Sequence, residues 1–598
     1  MPKQKYYESR IASLEAEYKA LKKKSQSFSW LRFISFISFA GCLIAYFTLG
    51  HSVFFIAFSL LFMVSFVVLV NKYNKLEYSI LVLASKIQVN KEEILFLNHH
   101  YHHRKSGNEF EYINPFLAND FNLFGKGSMF QYLNRCNTCI GQEMLAQKLC
   151  KPEKDATLIV EKQAAIDELC HKNDYVQDFQ SYSKFISDNK TELSFLQAWI
   201  AEPDVSFRKS RNVALVLASL NILWLLLSAF GVLTWASFLL PVVFSQLVVQ
   251  FHKKRISKNH SKINNIAAIF VQYVKVLKLI EDEHFESEYL RAIQKKLLVH
   301  ETKASASLNS LFKILDAFEI QNHALLSFVL NSILLLDIHA CYHLYEWRKK
   351  QKNDVAKWFS AIGETEVLIS FATYAFNNSE YVNYPTLSKE DAFTIEAVNL
   401  GHPLLQAKVR VNNDFSVNGV PSIQIITGAN MAGKSTFLRT MAVNLILAMN
   451  GAPVIAKKFT FFPCDILSSI KVQDSLTNNE SYFYAELLRL KDIIEHVKNH
   501  PKTLVILDEI LRGTNTKDKL TGSLGLLKKL MSLNAMVIIA THDLSIAELE
   551  NSYSGTVMNS CFEVELRDDQ LFFDYKLKKG ISRKLNASFL MQKMEIID

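Results

Sequence analysis

Residues 428–435 read Gly-Ala-Asn-Met-Ala-Gly-Lys-Ser and satisfy G-x-x-x-x-G-K-[ST] at every fixed position. That spacing suits phosphate chemistry. Gly428 and Gly433 let the backbone curl, so that N–H groups along Gly428, Ala429, Asn430, Met431, Ala432, Gly433, Lys434, Ser435 and Thr436 turn inward on a polyphosphate. Lys434 reaches the β- and γ-phosphates, and the Ser435 hydroxyl ligates Mg²⁺. Two more clusters fit the same chemistry. Asp508-Glu509 ends the apolar run Thr503–Leu507: Asp508 would hold Mg²⁺ directly or through water, and Glu509 would act as general base on the attacking water. Two carboxylates directly after five apolar residues are costly unless a metal uses them. His542 ends a second apolar run, Ala535–Ala540, where it either senses the γ-phosphate or hydrogen-bonds within the core.

These residues need rigid elements beneath them. Ser422–Thr427 is short, apolar and β-branched, which predicts a buried strand entering the loop. Phe437, Leu438, Met441, Leu445 and Leu447 recur at helical spacing, which predicts a helix leaving it. The helix N-terminus then adds partial positive charge where the phosphates sit. With the runs before Asp508 and His542 as further buried strands, the C-terminal part reads as an α/β P-loop NTPase domain of the ABC class.

The chain has 598 residues, 49% hydrophobic and only 21% charged, with a net charge of +9. This balance points to membrane segments. Phe33–Leu49 and Val53–Val70 are each about long enough to cross a bilayer and are separated by Gly50-His51-Ser52. Val213–Phe230 and Val232–Val249 form a second pair with Gly231 at the tip. Lys and Arg flank both pairs: Lys22–Lys24, Arg32, Lys72 and Lys75 around the first, and Arg208, Lys209, Arg211, Lys253, Lys254 and Arg255 around the second. The positive-inside rule therefore predicts two transmembrane hairpins, a multi-pass membrane protein of four spans, with the ATPase domain and both termini cytoplasmic.

The expected order is an N-terminal basic helix (1–27), a first transmembrane hairpin (28–71), a cytosolic helix and linker (72–127), a helical core (128–207), a second hairpin (208–252), a helical core or lever (253–390) and the ATPase domain (391–598). Tyr7, Ile11, Leu14, Tyr18 and Leu21 can pair with Leu76, Ile80, Leu83 and Ile87, extending the first hairpin out of the bilayer. Residues 104–127, rich in Asn, Gly and Phe, read as a linker. Ala324–Leu336 is too short to span and reads as the core of a helical bundle. The eight cysteines are scattered, and the lone pair Cys136/Cys139 lacks the second pair that structural zinc requires. They read as reduced thiols.

The stretches Ile426–Arg439, Leu507–Asp518 and Ala540–His542, with Gly401-His-Pro-Leu-Leu405 and Ser481-Tyr-Phe-Tyr-Ala-Glu486, resemble the ATPase domain of the MutS family of DNA mismatch-repair proteins. Residues 132–170 resemble the start of that family's helical core. The resemblance implies a homodimer in which Mg-ATP is closed over by the partner's signature segment, with Ser481 acting in trans on the γ-phosphate and Arg512–Thr516 lining the dimer face. It also implies binding to DNA, mismatched DNA in particular. Several positions depart from the family pattern. Leu511 stands where Gly is usual, and Val409 falls near the place of an aromatic that stacks on adenine. The Phe-x-Glu wedge that reads mismatches is absent, and apolar runs occupy its place. The second hairpin falls where a DNA clamp would extend. Two functional readings follow: a membrane-anchored MutS-like ATPase with the family's DNA role, or an ABC-class mechanochemical ATPase acting on an unknown membrane partner without mismatch recognition. A transporter of the ABC type is disfavoured, since no Leu-Ser-Gly-Gly-Gln signature is present.

Overall fold

The computed structural model describes residues 2–50, 52–186, 190–201, 207–299, 302–319, 324–389, 393–471, 482–567 and 570–582. It is mostly helical, with two larger sheets in the C-terminal part. The larger sheet has six strands in the order 570–579, 557–567, 422–428, 536–541, 503–508, 465–469. All neighbours are parallel except the edge hairpin 557–567/570–579. The strands 422–428, 503–508 and 536–541 are buried along their whole length, which is why their sequences are continuous apolar runs rather than alternating ones. Loop 428–433 leaves the central strand 422–428 and enters the helix Lys434–Met449, which is buried on nearly every face. A smaller four-stranded sheet, ordered 386–387, 458–461, 394–400, 413–418, packs beside it.

The predicted pairing of the chain's first helix with the end of the second apolar helix is present. Pro2–Thr48 and Val53–Leu97 are two long continuous helices, and Leu14, Leu83 and Ile87 bury together with Ile11, Tyr18 and Leu21 around them. The break falls at Leu49–Ser52, with Gly50 at φ +107°; His51 lies outside the described residues. The hairpin is fastened to the core by a buried ion pair. Arg135 donates through Nε and Nη2 to the Glu93 carboxylate at 3.1 and 2.9 Å, and its guanidinium lies 3.5 Å from the Phe96 ring centre. Asn377 Nδ2 donates to the same carboxylate at 2.7 Å.

Three expectations need correction. Residues 104–127 do not form a linker: Phe110, Leu117, Phe121, Leu123 and Phe124 are buried, and the segment joins the core to the sheet domain. Asp120 accepts from the Ile470 and Lys471 N–H groups, while its carbonyl accepts from Arg439 Nε at 2.9 Å. Phe110, Phe121 and Phe124, which help make the stretch look irregular, are among the side chains that bury it. The second apolar pair consists of Arg208–Ala229 and Leu239–Asp282, so the second helix begins seven residues later than Val232. A 3₁₀ turn, Trp235–Phe238, intervenes, and Pro241 sits in the first turn, where its missing N–H costs nothing. Finally, Ala324–Leu334 is a helix, but not a bundle core: Leu325 is 85% exposed and Phe328 58%.

Among the described residues, four helices are long and apolar enough to cross a membrane: Lys3–Thr48, Val53–Leu97, Arg208–Ala229 and Trp235–Lys253. Their apolar faces are largely exposed, with Phe54, Leu60, Leu223 and Leu247 among the exposed side chains. Among the described residues no group of three or more His, Cys, Asp or Glu side chains could hold a metal, and Cys136 is a buried thiol beside Ser370 whose pKa burial pushes up.

Candidate nucleotide site

The strand ends deliver Gly428, Asp508 and His542 to one edge of the sheet. Gly428 has φ +150°, and a Cβ there would meet the Phe562 carbonyl oxygen at 2.7 Å; the neighbouring strand's approach therefore requires glycine. Gly433 has φ +106° and opens the helix Lys434–Met449.

Side chains converge at this edge. Ser435 Oγ donates to Asp508 Oδ2 at 2.5 Å. Asp508 is buried, its other oxygen Oδ1 has no hydrogen-bond partner among the described residues, and burial raises its pKa. A carboxylate oxygen left bare beside a serine hydroxyl is the hard-oxygen donor set that Mg²⁺ prefers, so the residues fit that ion. Lys434 folds back on its own loop, with Nζ donating to the carbonyls of Gly428 at 2.8 Å and Ala429 at 3.0 Å; burial lowers its pKa. Those are contacts a phosphate would replace.

Glu509 and His542 form the other half. His542 Nε2 lies 2.5 Å from Glu509 Oε1 and 2.6 Å from Asn430 Oδ1. Both neighbours are acceptors, which assigns the proton to Nε2. Lys434 Nζ stands beside the ring, 3.4 Å from His542 Nδ1 and 3.3 Å from Nε2. Arg512 Nη2 stands 3.2 Å from Glu509 Oε2. The His542 hydrogen bond, with the charges of Arg512 and Lys434 behind it, holds the Glu509 carboxyl down at about 2. Glu509 sits at φ +50° and Leu511 at +59°. Leucine thus occupies a left-handed conformation where glycine would be free of the ~1–2 kcal/mol cost. Glu486 holds it there, its Oε1 accepting from the Leu511 N–H at 2.7 Å.

Beside the loop lies a cavity of about 400 Å³ lined by His402, Leu405, Val409, Phe437, Phe562 and Tyr575, with Lys434, Ser435 and Glu509 at one end. Val409 lines it as an exposed aliphatic side chain. The partly exposed ring in the cavity is Tyr575, from the edge hairpin, held by Asn413, whose Nδ2 donates to the Tyr575 carbonyl at 3.1 Å and whose Oδ1 accepts from Leu577 N at 2.8 Å. Sequence reasoning passed over Tyr575 and Phe562. The signal for Tyr575 was the alternation Leu571-Phe-Phe-Asp-Tyr575, a strand pattern, but nothing local shows that this edge folds over the loop. Ser481 lies outside the described residues, so its expected action in trans has no geometry here.

The chain matches two family models, MutS domain III over residues 117–372 and MutS domain V over residues 424–594. The first begins inside the stretch read as a linker and includes the second apolar helix pair. The chain is 24% identical over 515 residues to the DNA mismatch repair protein MutS of Clostridium kluyveri, covering 76% of this chain and 56% of that protein. It is 30% identical over 241 residues to MutS protein homolog 4 of Mus musculus, covering 38% and 24%. It is 30% identical over 239 residues to the MutS of Thermotoga neapolitana, covering 39% and 29%. The matches thus span between about a quarter and just over half the length of these relatives. With both models matched in order along one sequence, the chain belongs to the MutS family.

Proposed function

We propose that this protein is a membrane-anchored ATPase of the MutS family that binds and hydrolyses Mg-ATP and works as a homodimer. The observation that carries the reading is the convergence of Ser435, the unpaired Asp508 Oδ1 and the back-folded Lys434 at the end of a cavity of about 400 Å³. The triphosphate lies along the Gly428–Thr436 loop and the base against Tyr575. Ser435 and Asp508 hold Mg²⁺, which when bound neutralises charge on the phosphate oxygens. Lys434 leaves the Gly428 and Ala429 carbonyls for the β- and γ-phosphates. Glu509 is a poor base while His542 and Arg512 hold it ionised. A γ-phosphate that takes the His542 Nε2–H frees the carboxylate, raises its pKa and lets it accept the proton of the attacking water. His542 thus senses the γ-phosphate by giving up Glu509. The partner's Ser481 completes the site.

The same proposal covers topology and substrate. The two long apolar helix pairs are transmembrane hairpins, and the ATPase domain, the helical core and both termini lie on the cytoplasmic side. The two bacterial relatives are named for DNA mismatch repair, which brings DNA, and mismatched DNA first, to this chain as the ligand. One observation favours a second reading: an exposed apolar helix pair, Arg208–Ala229 and Trp235–Lys253, lies within the stretch matched by MutS domain III. In that reading the ATPase stroke works on a membrane partner, without mismatch recognition.

The test is the ATPase rate of detergent-solubilised protein, alone and with matched or mismatched duplex. Glu509→Gln is expected to lower the rate by roughly 100-fold or more while nucleotide binding persists. Hydrolysis unchanged in Glu509→Gln overturns the assignment of the site. A rate change specific to mismatched duplex supports the DNA role, and indifference to every duplex selects the membrane reading.

A further inference from the structure

The helix Ala324–Leu334 carries no charged residue and leaves large apolar side chains uncovered: Leu325 is 85% exposed, Phe328 58%, Val329 49% and Leu326 48%. It packs against both helices of the second apolar pair. Its bare face continues theirs, where Leu223 and Leu247 are also exposed. A contiguous apolar surface of this kind needs an apolar neighbour.

Its far end reaches deep along the pair. Asn221 Nδ2 donates to the carbonyls of Ser332 and Ile333, both at 3.0 Å, and to Ser245 Oγ at 2.9 Å. Gln246 Nε2 donates to Ser332 Oγ at 2.7 Å. Asn221 lies ten residues beyond Arg211 on the same helix, about 15 Å at the helical rise and half of a bilayer's hydrocarbon core. The last carbonyls of a helix have no partners within it, and in lipid no water replaces them. Here the polar side chains of the spans serve them.

At Leu335 the chain turns in a left-handed residue, φ +48°, and the next helix, Leu336–Gln351, leaves at 78°. Asn331 ties the bend from inside, its Oδ1 accepting from Asp337 N and its Nδ2 donating to Asp337 Oδ2, each at 3.0 Å. The departing helix passes the basic end of the span, with the Arg211 guanidinium 4.3 Å from the Tyr342 ring centre.

The segment enters and leaves on one side. Before it, Lys296 pairs with Glu364 at 2.7 Å, and the Ser307 carbonyl accepts from Trp347 Nε1 at 2.9 Å. Both partners lie after it in the chain. A crossing between them would split a packed core across a membrane.

Resting on the membrane reading above, we propose that Ala324–Leu334 is a re-entrant helix, immersed in the acyl chains of one leaflet. It descends to about the depth of Asn221 and turns back at Leu335 without crossing. The second membrane unit is then three helices, and the third is continuous with the Leu336–Gln351 core helix, whose Arg348 reaches the Trp199 carbonyl.

The experiment places an environment-sensitive fluorophore on single added cysteines in full-length protein reconstituted into phosphatidylcholine/phosphatidylglycerol vesicles. The sites are Phe328→Cys, Leu223→Cys within the span and Lys350→Cys on the exposed core surface. The accessible native cysteines are replaced by serine, and retained ATPase activity certifies folding. The expected result is severalfold stronger quenching by spin-labelled lipid at positions 328 and 223 than at 350, with iodide quenching in the reverse order. Lipid quenching at 223 with iodide quenching at 328 overturns the re-entrant helix alone. Iodide quenching at both overturns the membrane reading with it. Shielding of 328 from both quenchers means that protein covers the helix, and also overturns the proposal. Val329→Cys repeats the test should Phe328→Cys lose activity.

Discussion

The Tyr575 ring lies against Gly433 so closely that a Cβ on that glycine would meet Tyr575 Cδ1 at 3.2 Å. A residue from the edge hairpin thereby closes over the loop that precedes the helix Lys434–Met449. Tyr575→Ala is expected to weaken ATP binding by about 10-fold, since stacking on one aromatic ring contributes roughly 0.5–1.5 kcal/mol beyond the area it buries. Titration with a fluorescent ATP analogue measures it. Tyr575→Phe should bind as the natural protein does, because the ring and not the hydroxyl makes the stack. Equal losses in both variants would sink the stacking role.

Removal of divalent cation addresses Asp508 and Ser435. With EDTA, hydrolysis should stop. Asp508→Asn should bind ATP with the same affinity in Mg²⁺ and in EDTA, whereas the natural protein binds more tightly in Mg²⁺. Calorimetric titration in both buffers reads this, and a full Mg²⁺ effect in Asp508→Asn would show that the carboxylate does not hold the ion.

His402 sets a pH dependence. It is 8% exposed, burial and the nearby Arg439 and Arg410 charges push it down to about 4, and its Nδ1 accepts from Leu404 N. The unfolded chain protonates this histidine near 6.5. Between those values the unfolded state binds more protons, so stability rises with pH. As the pH falls from about 6.5 to about 4, this one group removes on the order of 3 kcal/mol. Urea unfolding at pH 7, 6 and 5 should show the loss, and His402→Gln should reduce its slope.

The Glu93–Arg135 pair predicts a stability effect far from the nucleotide. Both side chains are 5% exposed. Glu93→Ala strands a buried guanidinium and should cost about 3–5 kcal/mol. Thermal unfolding in detergent should register it strongly, while Lys458→Ala, which breaks the exposed pair with Glu396, should leave the midpoint unchanged. Similar midpoints for the two variants would refute the fastening role of the buried pair.

Much of the candidate nucleotide site was legible because its chemistry is local. Gly428, Lys434 and Ser435 stand in a fixed spacing, and Asp508, Glu509 and His542 follow runs whose continuous burial announces parallel strands. The long apolar helices were legible for the same reason, since length and composition decide them. Tertiary structure decided the rest. Tyr575 enters the cavity only because strand pairing lays the edge hairpin beside Gly428, a relation between residues almost 150 positions apart. Residues 104–127 look irregular by composition, yet a row of phenylalanines finds its burial between two domains that the sequence presents separately. Ala324–Leu334 shows the converse: an apolar run reads as core, but whether protein covers it depends on what packs there. Periodicity along a chain records how each residue prefers to sit, and only the assembled fold determines which neighbour it meets.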